Sequence, residues 1–540
     1  MLLPDELKSD EKLSNLLLKT SQFQQTLPYW EELLNYLLLK ASPLSKAINP
    51  ELRSLIRSTY QSMLIQFPYA ENYHIDYALF EFKLGSVSKM HKIFHSALNE
   101  VNSRSLLLWV EYLKLCNEVV MNDKDLFKKY ETAEKYIGLH FFSGEFWLMY
   151  LEQTKQRCKM QSRYVMLLRK ILEIPLYDYS TFYSLWLQCI NDIKDISQLK
   201  LFAPEHEVSK KLKVDMNLKQ RRGIQLQVAK LQLKKITKEL YTVVQYQVME
   251  IYNLFESKLT THYYTSPHTL IKYEEIATWC KYLNYTINTQ NIPLIKVTFQ
   301  RAVTALCHYD IIWLQWAKWL IETEADFVSA KNVLTKGLIM SHRKATIFTR
   351  LSHVMIRAAE YAELEAIYDT VLETYNNCSE TMDTEMFIDY ILVTLFLKTP
   401  IIRSRYNTDE NRLLVPEQVL DSIMKRLGTV SKDQSQRVLL WLLSQLYQRI
   451  PRSVLEENIF KIIIASNWSH FTEHGWFWYE YCQMVWINST KSYLEKRRYI
   501  VNEILPKAAN YKVEDVKRGV LKFMDNYSPE DYDAVELLFR

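Results

Sequence analysis

The segment spanning residues 271–338 limits the possible folds more than any other part of this chain. Trp279 and Trp313 stand 34 residues apart, each followed three positions on by a second ring, Tyr282 or Trp316. Each aromatic segment (KYEEIATWCKYLNYT, YDIIWLQWAKWLIE) precedes a smaller apolar one (KVTFQRAV, SAKNVLTKGL). A 34-residue period is the length of one helix–turn–helix unit, and rings at i and i+3 share a helical face. One such pair cannot bury its apolar face alone, so copies must stack side by side into a right-handed superhelix. Eight glycines and fourteen prolines in 540 residues leave little for β-turns or phosphate loops, whereas abundant Leu, Lys, Glu, Gln and Met favour helix. The expected fold is an all-α superhelix of helix-pair repeats.

Further copies run through the sequence. Trp30 shares a face with Leu33, Leu34, Leu37 and Leu38 in a helix started by Pro28 and stopped by Pro43. His74, Tyr77 and Glu81 lead to Gly85, where a tight turn needs positive φ or a close approach. Trp109 with Tyr112, Trp147 with Tyr150, and Trp478 with Tyr481 repeat the pair. In each unit the first ring is expected to wedge between its helix and the partner helix, and the +3 ring to pack on the neighbouring unit. These rings sit among Leu and Ile at helical spacing, so they are core and not a base-stacking stripe. Between Lys194 and Lys238 aromatics thin out and lysines gather, which marks a boundary. The expected organisation is a first array over 1–193, a lysine-rich linker passing into a long helix over 194–262, and a second array over 263–540.

A net charge of +5 against 67 basic and 62 acidic side chains describes a mixed surface, not an electropositive one. Lys210, Lys211, Lys213, Lys219, Arg221 and Arg222 are the one basic concentration that could meet RNA phosphates or an acidic partner; otherwise they form a solvated linker. Seven scattered cysteines without a CxxC pair predict reduced, mostly buried thiols in an intracellular protein. An acidic N-terminus without a secretory core, and no apolar run near the ~20 residues of a membrane span, predict a soluble protein. No phosphate-loop, dinucleotide, HExxH, GxSxG or Cys/His metal spacing occurs. His91 and His95 share a helix face but lack an accompanying carboxylate or thiol, so a packing or surface role is expected. No catalytic residue, cofactor or metal is expected, and the sequence reads as non-enzymatic.

The first-helix pattern around Trp109/Tyr112, Trp147/Tyr150, Trp279/Tyr282 and Trp313/Trp316, with second helices such as Ile93–Leu98 and Phe299–Val303, resembles the half-a-tetratricopeptide (HAT) repeat. His74 stands where that motif usually has Trp, and Trp316 where it has Tyr; both keep a ring. The order of FPYAENYHIDYALFEFKLG, SLLLWVEYLK, HFFSGEFWLMYLEQ, RKILEIPLYDYS, KKITKELYTVVQYQVMEIYNLFE and CHYDIIWLQWAKWL resembles the pre-mRNA-processing factor 39 and 42 family over nearly the whole sequence. The compact length, GLHFFSGEFW, ITKELYTVVQYQV and the SYLEKRRYIV tail resemble the fungal factor 42 branch, with factor 39 the alternative. The resemblance implies a nuclear, non-enzymatic scaffold of the U1 small nuclear ribonucleoprotein (snRNP), acting at 5′ splice-site recognition. It implies that the second array is a dimerisation arm for a factor 39-type HAT protein and that the first array contacts the U1-C protein. U1 RNA would be bound mainly indirectly, with no membrane and no small-molecule substrate. Two other readings stay open: a HAT scaffold of mRNA 3′-end cleavage or ribosome assembly, and a direct RNA-binding repeat protein. The latter needs Lys or Arg at one position per unit, a register the sequence lacks.

Overall fold

The computed structural model describes residues 10–158, 161–202, 222–378, 384–398, 420–421, 423–424, 427–428, 434–447, 452–487 and 491–539. All regular structure among these residues is helical, with no strand, as the helical spacing and scarce glycine predicted. Of the basic stretch, Lys210, Lys211, Lys213, Lys219 and Arg221 lie outside the described residues, and Arg222 opens a helix. The protein divides into two compact units, Met1–Ile312 and Trp313–Arg540.

In the first unit, helix starts are set by side chains that satisfy N–H groups the helix leaves unpaired. Asp10 accepts from the Leu13 N–H, Asn49 from Glu51, Ser105 from Leu108 and Asn122 from Lys124. Pro28, Pro50 and Pro293 stand in first turns, where a missing N–H costs nothing. Helix Glu71–Lys83 ends in a Schellman turn: the Ser86 N–H donates to the Glu81 carbonyl (2.9 Å) and the Gly85 N–H to the Phe82 carbonyl (2.8 Å). Gly85 takes φ +72°, a conformation costing an L side chain roughly 1–2 kcal/mol, so the turn accounts for the glycine.

Each helix pair buries its neighbour. One core cluster joins Leu13, Leu33, Ile56, Met63, Tyr77 and Phe80, and a second runs on from Ile75 through Leu113, Trp147, Leu168 and Trp186 to Leu233. The last helix of this succession, Tyr179–Asn191, receives the 33-residue helix Arg222–Leu254. There the Trp186 Nε1–H donates to Thr237 Oγ1 (3.0 Å), the Tyr183 and Tyr241 rings lie 4.1 Å apart, and Val244 and Val248 pack on Phe141. Lys230 donates to the Asn191 carbonyl (2.8 Å), placing a cation at that helix's negative end. Helices Tyr273–Asn288 and Ile292–Leu306 follow.

In the second unit, Trp313 is fully buried and leans on helix Phe327–Met340 at Gly337, where a Cβ would lie 2.8 Å from the indole Cγ. Buried Asp389 on helix Thr384–Lys398 accepts from Ser352 Oγ (2.6 Å) and the Tyr368 hydroxyl (2.5 Å), tying three helices together. Helices Gly475–Trp486 and Glu514–Tyr527 meet backbone to backbone at Gly475 and Gly519.

Candidate functional site

Most of the +3 rings singled out in the sequence form a ladder of ring pairs, stacked except for the tilted pair at Tyr112. Four +3 rings lie against an aromatic that precedes them in the sequence: Tyr77 on Tyr60 (5.0 Å), Tyr112 on Phe94 (5.0 Å), Tyr150 on Tyr130 (4.8 Å) and Tyr282 on Phe255 (4.7 Å). The second unit repeats the arrangement with Tyr481 on Phe460 (4.8 Å). Aromatic pairs of this kind contribute about 0.5–1.5 kcal/mol beyond area burial, so the ladder holds each unit in register with the last. His91 and His95 belong to it: both rings pack edge-on to Tyr112, whose hydroxyl contacts His91 Nδ1 (3.1 Å) and accepts from Lys129 Nζ (2.7 Å). Trp316 is half-buried.

The first ring also carries a polar hook in five units. Trp30, Trp109 and Trp478 donate through Nε1 to the carbonyl six residues upstream, on Gln24, Ser103 and Thr472 (2.9, 2.9 and 2.8 Å). His74 does the same through Nε2 to the Pro68 carbonyl (3.0 Å), so the imidazole replaces both the ring and the donor of the usual Trp. Trp147 reaches the Gly138 carbonyl instead (3.0 Å), and Trp279 Nε1 is buried with no acceptor among the described residues. His74→Phe keeps the ring but strands the Pro68 carbonyl, and should cost about 1–3 kcal/mol; His74→Trp, with its own N–H, should recover most of that loss. Urea unfolding of both variants checks this; equal losses would remove the hook.

A cluster of buried polar groups lies within the first unit. Asn102 Nδ2 donates to Glu71 Oε1 (2.7 Å) on helix Glu71–Lys83 and to Thr304 Oγ1 (3.0 Å) on helix Ile292–Leu306, 202 residues further on. Beside it the Arg301 guanidinium is bidentate on Glu256 (2.7 and 3.0 Å), with its cation 5.5 to 5.9 Å from the rings of Phe142, Trp279 and Tyr282. Burial alone would raise the Glu256 carboxyl, but Arg301 outweighs it and holds the group below its ordinary value. Among the described residues no cation pairs with Glu71, and burial pushes it up to about 7 against the hydrogen bonds of Ser105 and Asn102.

That difference fixes a sign. Between about 4.5 and 7 the native state keeps a Glu71 proton that the unfolded state has released, so wild-type stability drains away as pH rises through this window. Glu71→Gln keeps the acceptor for Asn102 and removes the titration. Its stability relative to wild type should climb from pH 4.5 to pH 8, as paired melting curves would show; a pH-independent difference would contradict it.

Sequence reasoning missed Arg301, Glu256, Glu71, Asn102 and Thr304. One signal was present: Arg301 interrupts the apolar stripe of Phe299, Ala302 and Val303, and a charge at a core position calls for a buried partner. Among the described residues no group of three or more His, Cys, Asp or Glu side chains is arranged to hold a metal, and no helix is long and apolar enough to cross a membrane. No disulfide joins Cys116, Cys158, Cys189, Cys280, Cys307 and Cys482.

Residues 20–188 match the PRP39 N-terminal HAT repeat and residues 249–388 the PRP39 C-terminal HAT repeat. The U1 small nuclear ribonucleoprotein component PRP42 of Saccharomyces cerevisiae is 46% identical over 531 residues, covering 98% of this chain and 98% of that protein. The chain belongs to the PRP39/PRP42 family. Pre-mRNA-processing factor 39 of Schizosaccharomyces pombe is 21% identical over 341 residues, 59% of this chain and 53% of that protein. Its Xenopus laevis counterpart is 19% identical over 284 residues, 49% of this chain and 44% of the relative. This PRP39/PRP42 family member is thus nearer to the PRP42 protein than to either factor 39, as its distinctive segments predicted. The two HAT matches contain the ring pairs from Trp30 to Trp316, while Trp478 and Tyr481 lie beyond both and share the stacking geometry and the Nε1 hook.

Proposed function

We propose that the protein is a non-enzymatic scaffold subunit of the U1 snRNP, acting in the nucleus by protein–protein contacts while the 5′ splice site is recognised and the early spliceosome assembles. The observation that carries this reading is the 46% identity, over 98% of both sequences, to a protein named as a U1 component. The packing supports it: Trp147, Trp279, Trp313 and Trp478 are fully buried, so these rings hold the scaffold together and are not offered to bases. We assign the first array (1–193) to contact with the U1-C protein, and the second (263–540) to pairing with a factor 39-type HAT protein. The basic stretch from Lys210 to Arg222 in the intervening 194–262 segment is where RNA phosphates or an acidic tail would be met.

Co-expression with the factor 39-type protein of the same organism tests the pairing. Light scattering should give a 1:1 complex, with cross-links from the partner concentrated within residues 263–540. A homodimer that ignores the factor 39-type protein, or cross-links confined to residues 1–193, would overturn the assignment.

A further inference from the structure

A cavity of about 320 Å³ opens beside the linked Glu71, Asn102 and Thr304 side chains in the first unit, at the small end of the ~300–1,000 Å³ typical of ligand pockets. Most of the polar groups around it are already matched. Asn102 spends its amide on Glu71 and Thr304, Thr304 donates to the Gln300 carbonyl (2.9 Å), and Arg301 is neutralised by Glu256. Among the groups left over are two donors, Arg104 and His140; the buried His262 Nδ1 on the same wall also has no partner among the described residues.

The first is Arg104. Its guanidinium lies 5.7 Å from the Tyr136 ring and makes one long contact with the Pro293 carbonyl (3.5 Å), and among the described residues no carboxylate pairs with it. Burial pulls its pKa down, with only Tyr136 acting against the fall. The second is His140, 8% exposed. Its Nδ1 accepts the Phe142 N–H (3.1 Å), so a neutral ring carries its proton on Nε2, and that N–H has no acceptor among the described residues. Burial and nearby Arg301 keep the ring well below its ordinary value, hence neutral. Leu106, Leu107, Phe142 and Tyr263 supply apolar walls.

We propose that this cavity receives a carboxylate presented by a protein partner, with Arg104 as its cation, the His140 Nε2–H as a second donor and an adjoining apolar side chain against Phe142 and Tyr263. A guanidinium takes a carboxylate through two parallel N–H bonds, and a desolvated pocket strengthens both contacts. A nucleic-acid strand fits less well, because a phosphate backbone is held by several cations in succession and the pocket offers one that is uncompensated. Glu71 does not oppose the anion below neutrality, where it carries a proton. The source is either an internal Asp or Glu or the terminal carboxylate of the partner. The inference does not depend on which particle the protein serves.

The test uses the full-length protein against an array of hexapeptides with one Glu beside Leu or Phe. Each is paired with its Gln counterpart and made with both a free and an amidated C-terminus. Hits are titrated by fluorescence anisotropy against wild type, Arg104→Ala, Arg104→Lys and His140→Phe, with melting curves to confirm folding. Arg104→Ala should weaken binding at least tenfold, Arg104→Lys should retain part of it, and replacing the carboxylate by an amide should cost wild type tenfold but Arg104→Ala little. Loss on Glu→Gln identifies an internal acid, and loss on C-terminal amidation a terminal one. No binding by wild type, indifference to both amide replacements, or displacement by a short RNA with the same dependence on Arg104 would overturn the proposal.

Discussion

Arg301→Met is expected to destabilise the Met1–Ile312 unit by about 3–5 kcal/mol, the usual cost of removing one member of a buried ion pair. Glu256, 3% exposed, would be left charged with its principal partner gone, and the rings of Phe142, Trp279 and Tyr282 would lose the cation between them. The larger part of the loss is the stranded charge and not the worth of the bond, so the double variant Glu256→Gln/Arg301→Met should recover most of it. Urea unfolding followed by tryptophan fluorescence reads both. A single variant within about 1 kcal/mol of wild type, or a double variant as unstable as the single, would contradict this account of the pair.

Gly519→Ala separates two effects of opposite sign. By helix propensity alone, alanine inside helix Glu514–Tyr527 would stabilise it by about 1 kcal/mol. In the fold, however, the new Cβ would lie 2.1 Å from the Gly475 carbonyl oxygen and 2.4 Å from its carbon. Both are backbone atoms that no rotamer change can move, so the two helices must part. Overpacking of this kind costs up to about 3 kcal/mol, corresponding to about 6–12 °C in the melting temperature of a unit this size. A melting temperature at or above wild type would show that the helices separate freely.

The repeat was legible because it is local. The Trp-x-x-Tyr spacing and the apolar second helices place rings on one face without any knowledge of partners, and Gly85 could be read from turn geometry alone. The particular stacks were not legible, since Tyr282 on Phe255 and Tyr481 on Phe460 depend on which turn of the preceding element faces the ring. His74 shows how a departure can be mistaken for a weak copy. The sequence showed a ring retained, and only the bond to the Pro68 carbonyl shows that the donor is retained too. The contacts joining Glu71, Asn102 and Thr304 span 202 residues in the Asn102–Thr304 bond alone, and no periodicity relates them. Gly475 and Gly519 likewise carried no signal, because their necessity comes from a helix crossing.

The central claim, that this PRP39/PRP42 family member is a scaffold of the U1 particle, is tested most directly by purifying the tagged protein from nuclear extract and sequencing the RNA that accompanies it. The account predicts U1 small nuclear RNA in that eluate together with a second HAT-repeat protein. Recovery of a different RNA, or of the protein with no RNA at all, would contradict it.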